Sequence, residues 1–528
     1  MSKLFLGLDS STQSLSAVVI DYDTRKVVYN DSVNFDEALP HYKTRNGVLP
    51  NANPLIKHSP PLMWAEALDL VFARMKKNGV ALDKILAISG SGQQHGSVYL
   101  KSNAATVLAG LNPKSNLVKS LAGVFSRPTA PIWMDSSTSQ ECAEIRRSLG
   151  GVKAAAQLTG SDIFERFTGP QIRKFHKTER ARYEKTASIA LVSSFMASLL
   201  AGKIAPIDHC DGAGMNLMDI RKKNWDARAL KATAPGLKEK LPPLAAPWKV
   251  VGPVSAYFVK KYGVNPEAFA LAWSGDNPCS VIGLGLIDEK TAAISLGTSD
   301  TYFGSMHRCF VDTRGEGHVF CSPTGDYMTL ICFKNGSLAR EHIRDEHKLD
   351  WNRFNQAIAS TPPGNRGGIM LPWFEAEIVP RVNTPGIHRI DLDAADVAAN
   401  CRAVVEAQMM SMRLHSQWMK APPKRIRATG GASDNVAILQ IMADVTGCPV
   451  YRVQVAKSAA LGAALRAAHG WLTESGAAAD WKKVIAGFTE PVSQKEIKPN
   501  AKARRVYDQL IEKYAKCERE NMPSAKNK

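Results

Sequence analysis

Twice in this chain a short apolar strand runs into a turn of small polar residues and returns as a second strand. The first instance is Leu4–Leu8, the turn Asp9-Ser-Ser-Thr-Gln-Ser14, and Leu15–Ile20, which is rich in β-branched residues. The second is Thr291–Leu296, the turn Gly297-Thr-Ser-Asp300, and Thr301–Phe303. A pattern that recurs early in each half predicts an internal duplication into two similar domains. The boundary is placed near residue 286, giving domains 1–286 and 287–528 of the 528 residues. A third polar turn, Thr429-Gly-Gly-Ala-Ser-Asp-Asn435, follows strand-like Arg425–Ala428. It opens a helix with apolar Val436, Leu439, Met442 and Val445, for which Ser433 or Asp434 is the expected cap.

Helical spacing also relates Trp64, Leu68, Val71, Phe72 and Met75, and Ala459–Ala468 reads as a close-packed alanine-rich helix. Strand-like Lys84–Ser89 alternates with such helices, so the class is α/β. Residues 311–330 and 361–390 contain Gly and Pro and read as loop-rich.

Composition removes several classes. Apolar residues make up 45% and charged residues 22%, ordinary for a globular protein, and collagen-like or low-complexity readings fail. A net charge of +18 points toward anionic partners such as nucleic acid, anionic lipid or phosphorylated small molecules. The excess is diffuse. Its densest stretch, Lys482–Lys528, alternates Lys and Arg with Glu and reads as a solvated helix face. No zinc finger, RNA-recognition motif or basic zipper accompanies it, so no nucleic-acid partner is expected. Nine scattered cysteines without a CxxC pair suggest the reduced thiols of a cytoplasmic protein. Met1–Asp9 does not read as a signal peptide, because its apolar run is short. The longest uncharged run, Thr186–Gly202, falls short of the roughly 20 residues of a spanning helix. It predicts a buried helix, and no membrane partner is expected.

The polar turns suggest chemistry. Turns of Gly, Ser and Thr leave backbone N–H groups free and let a phosphate approach closely. Two domains that each offer such a turn could clamp the phosphate tail of ATP. Asp9, at the strand end beside the first turn, could hold Mg2+ through water or simply cap the turn. The glycine-rich Ile88–Ser97 gathers Gln93, Gln94 and His95, neutral hydrogen-bonding groups of the kind a polyol needs. Asp276, in Trp273-Ser-Gly-Asp-Asn-Pro-Cys279, could accept a proton from a substrate hydroxyl. Phosphoryl transfer asks little of that base, since charge builds mainly on the phosphoryl oxygens. A Gly-Asp-Asn turn alone is equally a structural feature.

Taken in order over roughly residues 4–470, these segments resemble the FGGY family of carbohydrate kinases. Asp9–Ser14 and Ser295–Ser299 match its two phosphate motifs, Thr429–Asn435 its adenosine motif and Gly275–Asn277 its catalytic-base motif. Within the family, Gly92-Gln-Gln-His-Gly-Ser97 is the most telling match to the branch that acts on D-xylulose. Pro131–Ser136, Leu158–Gly160 with Glu165–Gly169, and Asp211–Leu217 support it. The resemblance implies two ribonuclease-H-like (actin-like ATPase) domains with an interdomain cleft, and transfer of phosphate from ATP to D-xylulose, giving D-xylulose 5-phosphate. It implies Asp276 as general base, with Gln94, His95, Asp135, Arg166, Asp276 and Asn277 at the sugar. It further implies Thr12, Gly297, Thr298, Trp351, Gly430, Gly431, Ala432 and Asn435 at the nucleotide, and Asp9 as the Mg2+ carboxylate acting through water.

One position departs from the family pattern. A basic residue usually stands seven positions after the first-motif Asp, and here that position is Ser16. Mg2+ and other basic residues would then supply the charge at the γ-phosphate. The residues alone leave two alternatives open: a kinase of the same family for another ketose or a polyol, and an actin-like ATP-binding protein without sugar phosphorylation. ATP and a small neutral sugar are the expected partners, and a homodimer is compatible with the reading.

Overall fold

A computed structural model describes residues 2–453, 457–492 and 496–522. The chain forms two compact units, one of Met1–Ile287, Val319–Met328 and Ala456–Thr489, the other of Asp288–His318, Thr329–Val455 and Glu490–Lys528.

The first unit is built on a mixed sheet of β1 (Leu4–Ser10), β2 (Ser14–Asp21), β3 (Lys26–Asn34), β4 (Ile85–Gly92), β5 (Val250–Pro253) and β6 (Phe269–Leu271). Their spatial order is β5-β6-β4-β1-β2-β3. β1 pairs antiparallel with β2 and parallel with β4, and Asp9 stands opposite Ser16 on one side and Ser91 on the other. Successive side chains of a strand point to opposite faces. Leu6, Leu8, Leu15, Ala17 and Val19 therefore join one cluster with Trp64, Leu68, Val71, Phe72 and Met75 of the Pro61–Lys77 helix, as their spacing predicts.

The other face carries the Ser458–Glu474 helix, which contains the expected alanine-rich stretch. Glycines bring it in closely. A Cβ on Gly7 would lie 2.1 Å from the Ala460 carbonyl oxygen, and one on Gly462 would lie 1.8 Å from that of Cys279. Asp9, two residues beyond Gly7, faces the same side of the sheet.

The second unit repeats the pairing logic. Its strands β7 (Thr291–Leu296), β8 (Asp300–Met306), β9 (Tyr327–Phe333), β10 (Arg425–Thr429) and β11 (Val450–Arg452) lie in the order β9-β8-β7-β10-β11. β7 pairs antiparallel with β8 and parallel with β10, as β1 does with β2 and β4.

Four local expectations are corrected. Thr186–Gly202 is not one helix. Ser188–Leu191 is a strand paired antiparallel with Ser97–Leu100, and only Val192–Ala201 is helical. Cross-strand pairing there overrides an uncharged sequence that fits either state. The presumed loop regions contain strands, including His318–Cys321 and the antiparallel pair Ile369–Trp373 and Gly386–Ile390. The Val436–Thr446 helix is capped by Asn435, whose side chain accepts from the N–H groups of Ala437 and Ile438, while Ser433 and Asp434 belong to a preceding short 3-10 turn. Val436 is 67% exposed and packs no core. Finally, the basic C-terminal stretch is half-sided. In the Ala501–Asn521 helix, Ala503, Tyr507, Leu510, Ile511 and Tyr514 are buried. Residues 493–495 and 523–528 of that stretch lie outside the described residues.

Candidate active site

In the first unit, strand register gathers the chemistry at one end of the sheet. Ser274 and Gly275 pair with Ser91 and Gly92 of β4, so the helix Asp276–Gly283 starts beside the end of β1, where Asp9 stands. Gly275 is required here, because a Cβ on it would lie 2.4 Å from Cγ of Gln94.

Asp276 Oδ1 accepts from the backbone N–H of Asn277 at 2.9 Å and of Gln94 at 3.3 Å. Asn277 Nδ2 donates to Gln94 Oε1 at 2.8 Å and to Asp276 Oδ1 at 3.3 Å. Part of the Asp276 side chain stays open to solvent. Its carboxyl nevertheless sits deep enough that desolvation raises its pKa to about 6, against the opposing pull of the Asn277 and Gln94 N–H groups. Asp9 is buried and accepts from Ser91 Oγ at 2.5 Å. Desolvation raises it to about 7; the Ser91 bond opposes this, and the nearby charge of Asp276 adds to it.

His95 is held in a left-handed conformation, φ 71°, which costs a non-glycine residue about 1–2 kcal/mol. The surroundings over-determine it. Its ring stacks on Phe167 with centroids 4.1 Å apart, and Thr168 Oγ1 donates to its carbonyl at 3.0 Å. Nδ1 lies 2.8 Å from the Gly214 carbonyl oxygen, which can only accept, so Nδ1 carries the proton and Nε2 presents a lone pair. Burial, helped by the charge of Arg166, lowers its pKa to about 3, and the ring is neutral at physiological pH. The Arg166 guanidinium lies 5.5 Å from the Phe164 ring centroid.

Two other expected residues are strongly engaged within the unit. Asp135 Oδ1 accepts from Ser137 N–H, Ser137 Oγ and Gln171 Nε2 at 3.0, 2.5 and 2.9 Å, and Oδ2 accepts from Lys57 N–H at 3.0 Å. Oδ2 also lies 3.6 Å from His58 Nε2, and the side chain is fully buried. Thr12 Oγ1 accepts from Trp133 Nε1 at 2.8 Å. At the departing position, Ser16 Oγ lies 3.1 Å from Ser32 Oγ.

Sequence reading missed the layer behind Asp276. Arg466 is fully buried. It donates to the carbonyls of Gly90, Pro247 and Ala272 at 3.1, 2.7 and 3.0 Å and lies 3.5 Å from Asp208 Oδ2. Asp211 accepts from Ser193 Oγ at 2.5 Å. Burial, and next the charge of Asp208, raise its pKa well above the carboxylate range. Arg466 and Asp208 are far apart in the chain and no local motif announces them, whereas Asp211 opens the Asp211–Leu217 segment.

In the second unit, a cavity of about 520 Å³ is lined by Gly297, Thr298, Trp351, Gly431, Ala432 and Asn435, and by Arg340, Asn355 and Ile438, which were not anticipated. Trp351 is 42% exposed, with the Arg344 guanidinium 4.5 Å from its ring centroid. Asn435 donates from Nδ2 to Asn355 Oδ1 at 2.5 Å, joining two walls. Arg340 grips Asp300 through two bonds of 2.9 and 3.2 Å and reaches Gln408 Oε1 at 2.7 Å, fixing β8 directly after the Gly297–Ser299 turn. Gly430 is not a wall of this cavity. Its φ of 88° and a Cβ distance of 2.5 Å to the Leu296 carbonyl oxygen make it a close-packing position.

Among the described residues, no group of three or more His, Cys, Asp or Glu is arranged to hold a metal, and no helix is long and apolar enough to cross a membrane.

Comparison with known proteins shows the family. The N-terminal-domain model of the FGGY family of carbohydrate kinases matches residues 128–283, and its C-terminal-domain model matches 292–471. The chain is 42% identical to the xylulose kinase of Rattus norvegicus over 532 residues, covering 99% of this chain and 97% of that protein. It is 45% identical to xylulose kinase 2 of Arabidopsis thaliana over 491 residues, covering 89% and 87%. In fold it is similar to a solved xylulose kinase from Rhodospirillum rubrum, with a TM-score of 0.82, 19% identity and coverage of 98% and 99%. A glycerol kinase from Plasmodium falciparum with ADP gives a TM-score of 0.78 at 16% identity, covering 99% of each chain.

Proposed function

The chain belongs to the FGGY family of carbohydrate kinases, and on that premise we propose that it phosphorylates D-xylulose with ATP, giving D-xylulose 5-phosphate. The observation that carries this reading is the grouping of Asp276, Asn277, Gln94 and His95 in the first unit.

Asp276 orients the 5-hydroxyl and takes its proton as the oxygen attacks the γ-phosphorus and the bond to ADP breaks. A loose transition state leaves most charge on the phosphoryl oxygens, so a carboxylate titrating at about 6 is a sufficient base. Two N–H donors on Oδ1 hold the carboxylate, which leaves Oδ2 to meet the hydroxyl. Neutral His95 accepts a sugar hydroxyl through Nε2, while its bond to Gly214 keeps it in that tautomer. Gln94 Nε2 is buried with no protein acceptor, and it is a donor suited to a sugar oxygen. Arg166 and Asp135 complete the sugar contacts.

ATP binds the second unit, with its base and ribose in the cavity of Trp351, Gly431, Ala432 and Asn435 and its phosphates at Gly297 and Thr298. Thr12, in the turn between β1 and β2 of the first unit with its hydroxyl held by Trp133, is a proposed phosphate ligand. Asp9 fits a hydrated Mg2+. It is a single carboxylate whose Oδ1 is held by Ser91, and Mg2+ usually takes only one or two carboxylates besides water and phosphate. When bound, Mg2+ offsets phosphate charge, a service the Ser16 position does not provide.

The test is ADP release at fixed MgATP across ketoses and polyols. D-Xylulose should give the highest kcat/KM. A clear preference for glycerol or another sugar would reassign the substrate.

A further inference from the structure

One residue of the glycine-rich segment is left unused by this reading. Gln93 is 1% exposed and stands between Gly92, the last residue of β4, and Gln94. Its backbone N–H donates to the Ser10 carbonyl at 2.9 Å, and its Nε2 donates to the Ser11 carbonyl at 3.5 Å. Both acceptors open the turn that carries Thr12, whose own backbone is tight, with the Ser11 N–H bonded to the Ser14 carbonyl at 2.9 Å. One residue therefore joins the segment presenting Gln94 and His95 to the turn between β1 and β2. The joint lies wholly within the first unit.

We propose that Gln93 is a positioning residue that fixes the phosphate-binding turn relative to the sugar-binding segment, so that the phosphoryl group is delivered to the sugar rather than to water. The inference rests on the kinase reading above. Its physical basis is that in-line transfer tolerates little displacement between nucleophile and phosphorus, and a misplacement of about 1 Å can cost 10²-fold in rate. The Ser11 bond is the element that a side-chain change removes while the strand ladder stays intact.

Two variants test it. Gln93→Glu keeps the size and removes the Nε2 donor; Gln93→Leu removes all side-chain polarity. For each, D-xylulose affinity is measured calorimetrically without nucleotide. Turnover is then followed with separate detection of ADP and of sugar phosphate. Expected are D-xylulose affinity within about threefold of wild type, kcat down at least about tenfold, and more than one ADP released per sugar phosphate formed. A ratio that stays at one with kcat within about threefold in both variants overturns the inference. So does sugar affinity that falls in step with kcat, which would make Gln93 a sugar ligand. If one variant does not fold, the other is read alone by the same criteria. The wild-type control separates the two claims: without sugar-dependent ADP release in wild type, the kinase reading itself fails.

Discussion

A carboxyl that titrates at about 6 leaves a signature in both rate and stability. As base, Asp276 works ionised, and Asp9 beside it is raised to about 7, so kcat/KM for the sugar should rise with pH between about 6 and 7 and then level. His95, lowered to about 3, adds no step in that range. For stability the sign is the reverse of a salt-bridged carboxylate. Folding raises the proton affinity of Asp276, so the native state holds its proton up to about pH 6, while the unfolded chain releases it near 3.9. Stability from this group is present at acidic pH and is lost as pH rises through that window. Asp276→Asn should accordingly stabilise the fold at pH 8 by on the order of 1–2 kcal/mol, given its partial exposure, and so raise the melting temperature there, and the gain should vanish near pH 4. Thermal melts at both pH values check this, and an equal effect at both would contradict the burial argument. At this scale the sequence made Gln94, His95, Asp276 and Asn277 legible, because each lies in a local turn whose composition is unusual. Arg466 and Asp208 were not, because their roles arise from contacts across more than a hundred residues; Gly214 lies in the recognised Asp211–Leu217 segment, but its bond to His95 is a tertiary contact that the segment does not announce.

The Ser458–Glu474 helix shows how packing holds the site at the level of elements. It lies against the Asp276–Gly283 helix through glycines, with a Cβ on Gly283 only 2.0 Å from the Ser458 carbonyl oxygen. Backbone cannot yield there as a flexible side chain would. Gly462→Ala should destabilise by about 1–3 kcal/mol or more, and a shift of the Asp276 helix should lower kcat beyond the loss of folded protein. Denaturant unfolding with activity per folded molecule tests this, and an unchanged midpoint would refute the close packing. The alanine-rich composition announced a tightly packed helix but not its partner. Both hairpins were legible from small polar turns between β-rich runs. Thr186–Gly202 was not, since an uncharged apolar run fits strand and helix equally until Ser97–Leu100 supplies a pairing edge.

For the whole molecule, the two units share one pairing scheme, a central strand flanked by a hairpin partner and a parallel crossover strand. Recurrence of the hairpin pattern made that duplication readable. The joining of Val319–Met328 and Ala456–Thr489 to the first unit was not readable, because no boundary signal marks a chain that crosses back. On the proposed function, the sugar and the base Asp276 belong to the first unit and the nucleotide's base and ribose to the second. Asp276→Ala tests this most directly, with D-xylulose phosphorylation and ATP affinity measured on the same preparation. Expected is a loss in kcat of at least about 10²–10⁴-fold with ATP affinity held within a few-fold. Turnover close to wild type would contradict it.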